Sequence, residues 1–176
     1  MKIKIKLYDG QVLPTVIKQG DWIDIPITSN VIVKGPIANT LRRRRTNTED
    51  TSTRNVEFNP IQISLGFAMQ LPKGFEAHVL PRSSTFKKFG IQLVNTQSII
   101  DQSYKGNEDI WQAELLPFRD AVIPIGTRLF QFRIMLSQKA TIWQKLKWLF
   151  WNGKIKFVEV EDLGNSNRGG IGSTGI

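Results

Sequence analysis

Short runs of alternating or apolar residues recur along most of the chain, and nearly every one stops at a glycine or proline. Few architectures accept that rhythm. Short strands joined by tight turns do, which predicts an all-β sandwich or barrel. Residues 2–8 (KIKIKLY) alternate lysine with apolar side chains, as a strand with one wet face does. Trp22–Ile27 (WIDIPI) and Val31–Val33 follow, closed by Gly35-Pro36. Strand patterns return at 61–69 and 75–80 on either side of the turn Leu71-Pro72-Lys73-Gly74. They appear again at 110–116, with Glu114 facing outward, at 128–136 (RLFQFRIML) and at 155–160. Lys18-Gln19-Gly20-Asp21 reads as a turn.

Three segments leave the pattern. Residues 37–55 are polar after Leu41 and include the run Arg42–Arg45, which predicts an exposed, mobile insertion. Residues 141–151 (TIWQKLKWLFW) place Ile142, Leu146 and Leu149 at helical spacing. This predicts one short inserted helix with more aromatic surface than a free-standing helix exposes. It either packs on the domain or a neighbouring subunit, or docks another molecule. At about three turns it can lie on a membrane but not cross it. Residues 164–176 carry Gly169, Gly170, Gly172 and Gly175, which predicts a flexible glycine-rich C-terminal tail.

A length of 176 residues suits a single domain, 1–176. The chain has no cysteine, which excludes disulfides, thiolate metal sites and cysteine nucleophiles and agrees with a reducing cytoplasm. His78 is the only histidine and reads as a strand residue, which argues against Ser-His-Asp catalysis in its usual form and removes histidine metal clusters. The start lacks the continuous apolar core of a signal peptide, and no segment approaches the roughly 20 apolar residues of a transmembrane segment. A net charge of +9 and a pI near 10.0 point to an anionic partner: nucleotide, nucleic acid or membrane surface.

Residues 81–106 hold the densest chemistry. Arg82-Ser83-Ser84 offers a guanidinium, two hydroxyls and turn amides, the donors a polyphosphate needs. The same tripeptide also makes an ordinary turn with a surface arginine. Asp101 follows Ile99-Ile100, where a partly desolvated carboxylate can polarise water, or where an aspartate simply starts a turn. Tyr104 either stacks on a sugar or base or fills the core. Asn95 either bonds a base edge or caps its turn. In the tail, Arg168, Ser173 and Thr174 stand among glycines whose amides can approach phosphate closely, yet no Walker spacing is present.

In order along the chain, these segments resemble the trimeric all-β dUTPases. GDWIDI (20–25) is similar to the first motif in its Bacillus and Bacillus-phage form. PRSST (81–85), GIQLVNTQSIIDQSYKG (90–106), RLFQF (128–132) and RGGIGSTG (168–175) resemble the second to fifth. The resemblance covers most of the chain. It implies a distorted jelly-roll-like β-barrel, a homotrimer with shared active sites, and hydrolysis of dUTP to dUMP and pyrophosphate. It implies that Asp101 activates the water that attacks the α-phosphorus and that Tyr104 sits under the deoxyribose. Asn95 and the backbone of 93–100, Ile100 included, would read uracil. Arg82, Ser83, Ser84 and Gln131 would hold the phosphates. Arg168, Gly170, Ile171, Ser173 and Thr174 would close over the substrate as a C-terminal lid. Mg²⁺ would ride on the triphosphate and water, with Asp24 supporting and no direct protein ligand.

The sequence also departs from the family. Ile171 stands where many members have an aromatic, Ser98 replaces a common glycine, and Trp22-Ile23 precedes Asp24. Most members lack 37–55 and 141–151. The alternative enzyme is a dCTP deaminase of the same fold, for which Glu114 is the nearby glutamate. A further alternative adds regulatory binding of protein or nucleic acid through Arg42–Arg45 and 141–151. Inserted basic variants suit a phage or prophage protein acting in the cytoplasm of a bacterial host cell.

Overall fold

The computed structural model describes residues 1–16, 20–40, 54–151 and 153–169. The described chain is mostly β, with two short helices. The strands are β1 (Lys2–Leu7), β2 (Thr15–Val16), β3 (Ile23–Pro26), β4 (Val31–Val33), β5 (Ile37–Thr40), β6 (Arg54–Glu57), β7 (Ile61–Ser64) and β8 (Phe67–Gln70). They continue as β9 (Phe75–Pro81), β10 (Ile91–Leu93), β11 (Ser98–Asp101), β12 (Gln112–Pro117), β13 (Ala121–Ile123), β14 (Arg128–Leu136) and β15 (Lys156–Glu159). Helix α1 spans Thr85–Phe89 and α2 spans Ile142–Leu149.

The largest sheet runs β11-β9-β14-β3-β2, and a second runs β15-β1-β8. A third runs β10-β12-β7, and β13-β4 and β5-β6 form two-stranded ribbons. Strand β14 alternates as its sequence does: Leu129, Phe130, Phe132 and Ile134 turn into the core while Gln131 and Arg133 stay partly exposed. Phe132 joins two sheets. Its ring centroid lies 6.3 Å from Phe67 of β8, 5.3 Å from Trp111 and 6.2 Å from Phe157 of β15.

Several sequence expectations are corrected here. The run 61–69 is two strands, because Gly66 turns the chain at φ +74, where Thr28 and Gln11 crowd the space a Cβ would fill. The run 110–116 starts its strand at Gln112 instead, with Glu114 exposed as expected. The expected insertion 37–55 is strand at both ends, since Ile37–Thr40 pairs antiparallel with Arg54–Glu57. Arg42–Arg45 lie outside the described residues, as do Lys18 and Gln19 of the expected turn. Helix α1 was not expected. It ends at Gly90 in the left-handed conformation, φ 66, and Thr85 Oγ1 donates to the Leu129 carbonyl at 2.8 Å.

Helix α2 starts on a capping box: Thr141 Oγ1 accepts from the Gln144 amide, and Gln144 Oε1 accepts from the Thr141 amide at 2.7 Å. Trp148 packs on Phe75 with centroids 5.4 Å apart, and Gln144 Nε2 donates to the Lys73 carbonyl at 2.7 Å. Among the described residues, no helix is long and apolar enough to cross a membrane.

Phe132→Ala removes the ring that three aromatic neighbours from outside its own sheet share. We expect a loss of about 3–5 kcal/mol in stability, read from the midpoint of urea unfolding. A loss below about 1 kcal/mol would mean that the two sheets are held together elsewhere.

Candidate active site

Asp101 closes β11, where the sheet ends and the chain turns back through Ser103 and Tyr104. Its Oδ1 accepts from the Ser103 amide at 2.6 Å, and its Oδ2 accepts from Arg168 Nη1 at 2.7 Å. Partial burial pushes its carboxyl pKa up. The Ser103 hydroxyl and amide and the Arg168 guanidinium outweigh this and hold it below 3.8. Asp101 is therefore an ionised carboxylate at neutral pH, still reached by solvent. Tyr104 is half-buried against the core, and its hydroxyl donates to the Ile110 carbonyl at 3.0 Å. Burial and the nearby Asp109 carboxylate push the phenol pKa above 10.0, against the opposing pull of Arg168.

The residue that organises this corner is Asp109, which sequence reasoning missed. It is 1% exposed and accepts four backbone amides. Lys105 and Gly106 donate from the turn at 3.0 and 2.8 Å, and Arg168 and Gly169 donate from the tail at 3.0 and 3.3 Å. A carboxylate so placed repays its desolvation only because its lone pairs are filled. Asn107 and Glu108 add contacts: Asn107 Oδ1 accepts from the Leu163 amide, and Asn167 Oδ1 accepts from the Glu108 amide, both at 3.0 Å. Gly106 lies so close to the tail that a Cβ would stand 2.6 Å from Asn167 Cα. The signal available in sequence was a carboxylate three residues after a turn glycine, directly before Ile110-Trp111.

A second cluster lies elsewhere on the same sheet. Asp24 is buried on β3, opposite Gln131 of β14. Its Oδ2 accepts from Arg128 Nη1 at 3.1 Å, and Arg82 Nε approaches Oδ1 to 2.9 Å. That second approach is an ion pair by distance but not a well-aligned hydrogen bond, and Oδ1 is itself buried. Arg128 was another residue not singled out in sequence. Gln131 Nε2 reaches the Pro81 carbonyl at 3.4 Å. Ser83 is exposed, and Ser84 is the half-exposed residue before α1.

The loop between β10 and β11 carries Asn95, which is exposed and exchanges hydrogen bonds of 3.3 Å with the Ser98 hydroxyl. Thr96 beside it has φ 57, a left-handed conformation that costs a β-branched residue about 1–3 kcal/mol. Ile100 is partly buried against the core. His78, on β9, bonds Glu76 Oε1 at 2.8 Å and also meets Gln97. Gly170, Ile171, Ser173 and Thr174 lie outside the described residues.

Asp101, Tyr104 and Arg168 are thus brought together, and so are Asp24, Arg82 and Gln131. The two groups stand apart. Asp101 pairs with Glu76 at the start of β9, while Arg82 follows its end. Six residues of extended chain separate those points, roughly 20 Å at about 3.3 Å per residue.

No family model matches the chain. An SPbeta prophage-derived deoxyuridine 5′-triphosphate nucleotidohydrolase of Bacillus subtilis (strain 168), YosS, is 39% identical over 176 residues, 99% of each chain. A deoxyuridine 5′-triphosphate nucleotidohydrolase of a Hydrogenobaculum strain is 31% identical over 68% of this chain and 73% of its own. The fold is similar to the crystal structure of a Streptococcus mutans dUTPase, with a TM-score of 0.59 at 16% identity over 78% of this chain and 98% of that one. It is likewise similar to the dUTPase of Staphylococcus aureus phage phi11, with a TM-score of 0.57 at 14% identity over 80% and 93%. The full-length identity to the prophage-derived relative places this chain in the deoxyuridine 5′-triphosphate nucleotidohydrolase family.

Proposed function

We propose that the chain hydrolyses dUTP to dUMP and pyrophosphate by attack of an Asp101-activated water on the α-phosphorus. Family membership supplies the reaction. The observation that carries the residue assignment is an ionised, solvent-reached Asp101 beside Tyr104, with Arg168 of the tail bonded to it. Such a hydrolysis needs a placed water and stabilisation of phosphate charge, not a protein nucleophile. Tyr104 forms the floor under the deoxyribose, its ring fixed by the hydroxyl bond to Ile110. A ring held there leaves no room for a 2′-hydroxyl. Asn95 and the 93–100 backbone read uracil, and Ile100 and Ile171 give the base apolar contact.

Arg82, Ser83, Ser84 and Gln131 hold the phosphates, with Asp24 orienting Arg82. These groups are about 20 Å of strand from Asp101 of the same protomer. A triphosphate is much shorter than that, so Arg82 of one subunit serves Asp101 of another. That separation favours sites shared between subunits, and the family resemblance makes the assembly a homotrimer. In this reading the sheets close as a distorted jelly-roll-like barrel within one domain, 1–176, working in the cytoplasm of a bacterial host cell.

Arg168, Gly170, Ser173 and Thr174 close over the substrate. For Arg168 to engage phosphate it must leave Asp101, so substrate exchanges one anion for another at the guanidinium and frees the carboxylate for water.

Among the described residues, no three carboxylate or imidazole groups stand together as a metal cage. Asp24 is buried between the Arg82 and Arg128 guanidinium groups, which oppose direct coordination, so its support for Mg²⁺ would be indirect, through Arg82. Mg²⁺ held by the triphosphate and water would neutralise phosphate charge.

Incubation with dUTP, dCTP, dTTP and UTP plus Mg²⁺ is expected to release pyrophosphate from dUTP alone. Asp101→Asn should lower kcat by about 10²–10⁴-fold. Turnover of UTP at the dUTP rate would remove Tyr104 from its role, and ammonia from dCTP would show a deaminase.

Arg168→Ala tests the tail contact. The folded-state pKa of Asp101 is depressed, so its ionised form persists below 3.8, and stability gained from it is lost as pH falls through the depressed value. Without Arg168, burial is opposed by Ser103 alone and the pKa rises. Carboxyl ¹³C NMR titration should move upward in the variant, and an unchanged curve would mean that the pair does not form in solution.

Gly106→Ala puts a methyl into the Asn167 backbone. Trypsin cleavage after Arg168 is expected to speed up by about tenfold or more while the unfolding midpoint stays put, because docking is a local equilibrium. Equal cleavage rates would show that the tail is not docked on this turn.

A further inference from the structure

We propose that α2 and the lysines around it form a docking surface for an anionic lipid bilayer, a surface role separate from nucleotide hydrolysis. The helix has two faces. Trp148 and Gln144 fasten one of them to Phe75 and Lys73 of the body, and Trp151 stacks on Trp148 with centroids 4.8 Å apart. The other face carries Ile142, Trp143, Leu146, Leu149 and Phe150. Four of these are 70–82% exposed, and Leu146 is 41% exposed. At 3.6 residues per turn they occupy one continuous stripe about 120° wide. Lys145 borders the stripe on one side and Lys147 on the other, and both are exposed.

Such a stripe is costly in water and needs a cover. The charge around it says which. No aspartate or glutamate occurs from 121 through 158, a stretch that includes Lys139, Lys145, Lys147 and Lys156. Lys73, whose carbonyl holds Gln144, is exposed beside the helix. A groove shared by Lys2, Lys4, Gln70, Lys73 and Val158 extends the basic surface along the outer face of the β15-β1-β8 sheet. There Lys2 stands in register with Lys156, both exposed. Like charges directly opposed across strands are unfavourable. An anionic cover offsets that repulsion.

The combination fits a lipid surface better than its rivals. Lysines flanking an apolar stripe extend to headgroup phosphates while the stripe enters the acyl boundary. Trp143 and Phe150 suit that interfacial depth. A nucleic acid offers stacking for the aromatics but nothing for Ile142, Leu146 and Leu149. Symmetric pairing with a second copy opposes Lys145 and Lys147 to themselves, which like-charge repulsion disfavours. The helix is preformed by its capping box and anchored by its back face, so docking incurs little ordering cost.

The test uses the full chain with vesicles of phosphatidylcholine alone or mixed with phosphatidylglycerol, read by flotation and by sizing. Anionic vesicles should bind at least about tenfold more tightly than neutral ones, with binding weakened by added salt. The pair Lys145→Glu and Lys147→Glu should lose binding through charge, and Leu149→Ser with Phe150→Ser through apolar contact. Both variants should keep dUTP hydrolysis and the unfolding midpoint of the parent. Absence of vesicle binding overturns the proposal. So does equal binding to neutral lipid, or a fall in oligomer size in Leu149→Ser with Phe150→Ser, which would place the stripe between copies. Retention on duplex DNA in place of vesicles, lost in the lysine variant, would assign the face to nucleic acid and equally overturn it.

Discussion

The antiparallel ladder between β9 and β14 sets the scale of this molecule. It runs through seven paired residues, from Phe130 opposite Pro81 to Leu136 opposite Phe75. Everything of chemical interest hangs from one of its ends. At the Pro81 end, Arg82, Arg128 and Gln131 gather around the buried Asp24. At the Phe75 end, β11 delivers Asp101 beside Glu76, and the turn after it carries Tyr104. An extended strand cannot be shortened without losing its hydrogen bonds, so the two groups stay apart in any one chain. The separation is a consequence of backbone geometry and not of side-chain choice.

At the Phe75 end, a buried carboxylate does what a longer hydrophobic contact does elsewhere. Asp109 has the burial of a core residue and a full set of amide donors. Two of those donors come from the turn that carries Asp101, and two from the tail. The tail is thereby fixed by polar contacts that a small shift can break, while the strands below depend on rings and branched aliphatics that it cannot. This division is consistent with the tail closure proposed above.

Legibility in the sequence followed the source of each element's stability. Strand β14 was readable to the residue, since its alternation is local and its inward positions are large and apolar. Helix α2 was readable from its spacing and lies within the expected 141–151. Helix α1 was not, because TFKKF is one turn held by a tertiary bond from Thr85 and a left-handed glycine. The ribbon of β5 and β6 is not legible within the expected insertion 37–55, because its residues are mostly polar and its order comes from pairing. In the candidate site, Asp101, Tyr104, Arg82 and Arg168 are singled out by motif, and the structure brings Asp101, Tyr104 and Arg168 together with Arg82 apart from them. Asp109 and Arg128 were missed because their importance lies in partners distant in sequence, the tail amides for one and Asp24 for the other.

The position of α2 ties its exposed face to one end of the ladder. Gln144 holds the Lys73 carbonyl, and the next amide, that of Gly74, donates to Gln102 Oε1 at 2.8 Å. Gln102 directly follows Asp101. The anchor of the helix and the turn of the catalytic candidate are therefore two bonds of the same short loop. Gly74 cannot be replaced without disturbing this, for a Cβ there would stand 2.4 Å from Gln144 Oε1 at a backbone φ of +84. Whatever covers the apolar stripe of α2 lies on the side of the molecule that presents Asp101, and away from the Arg82 cluster.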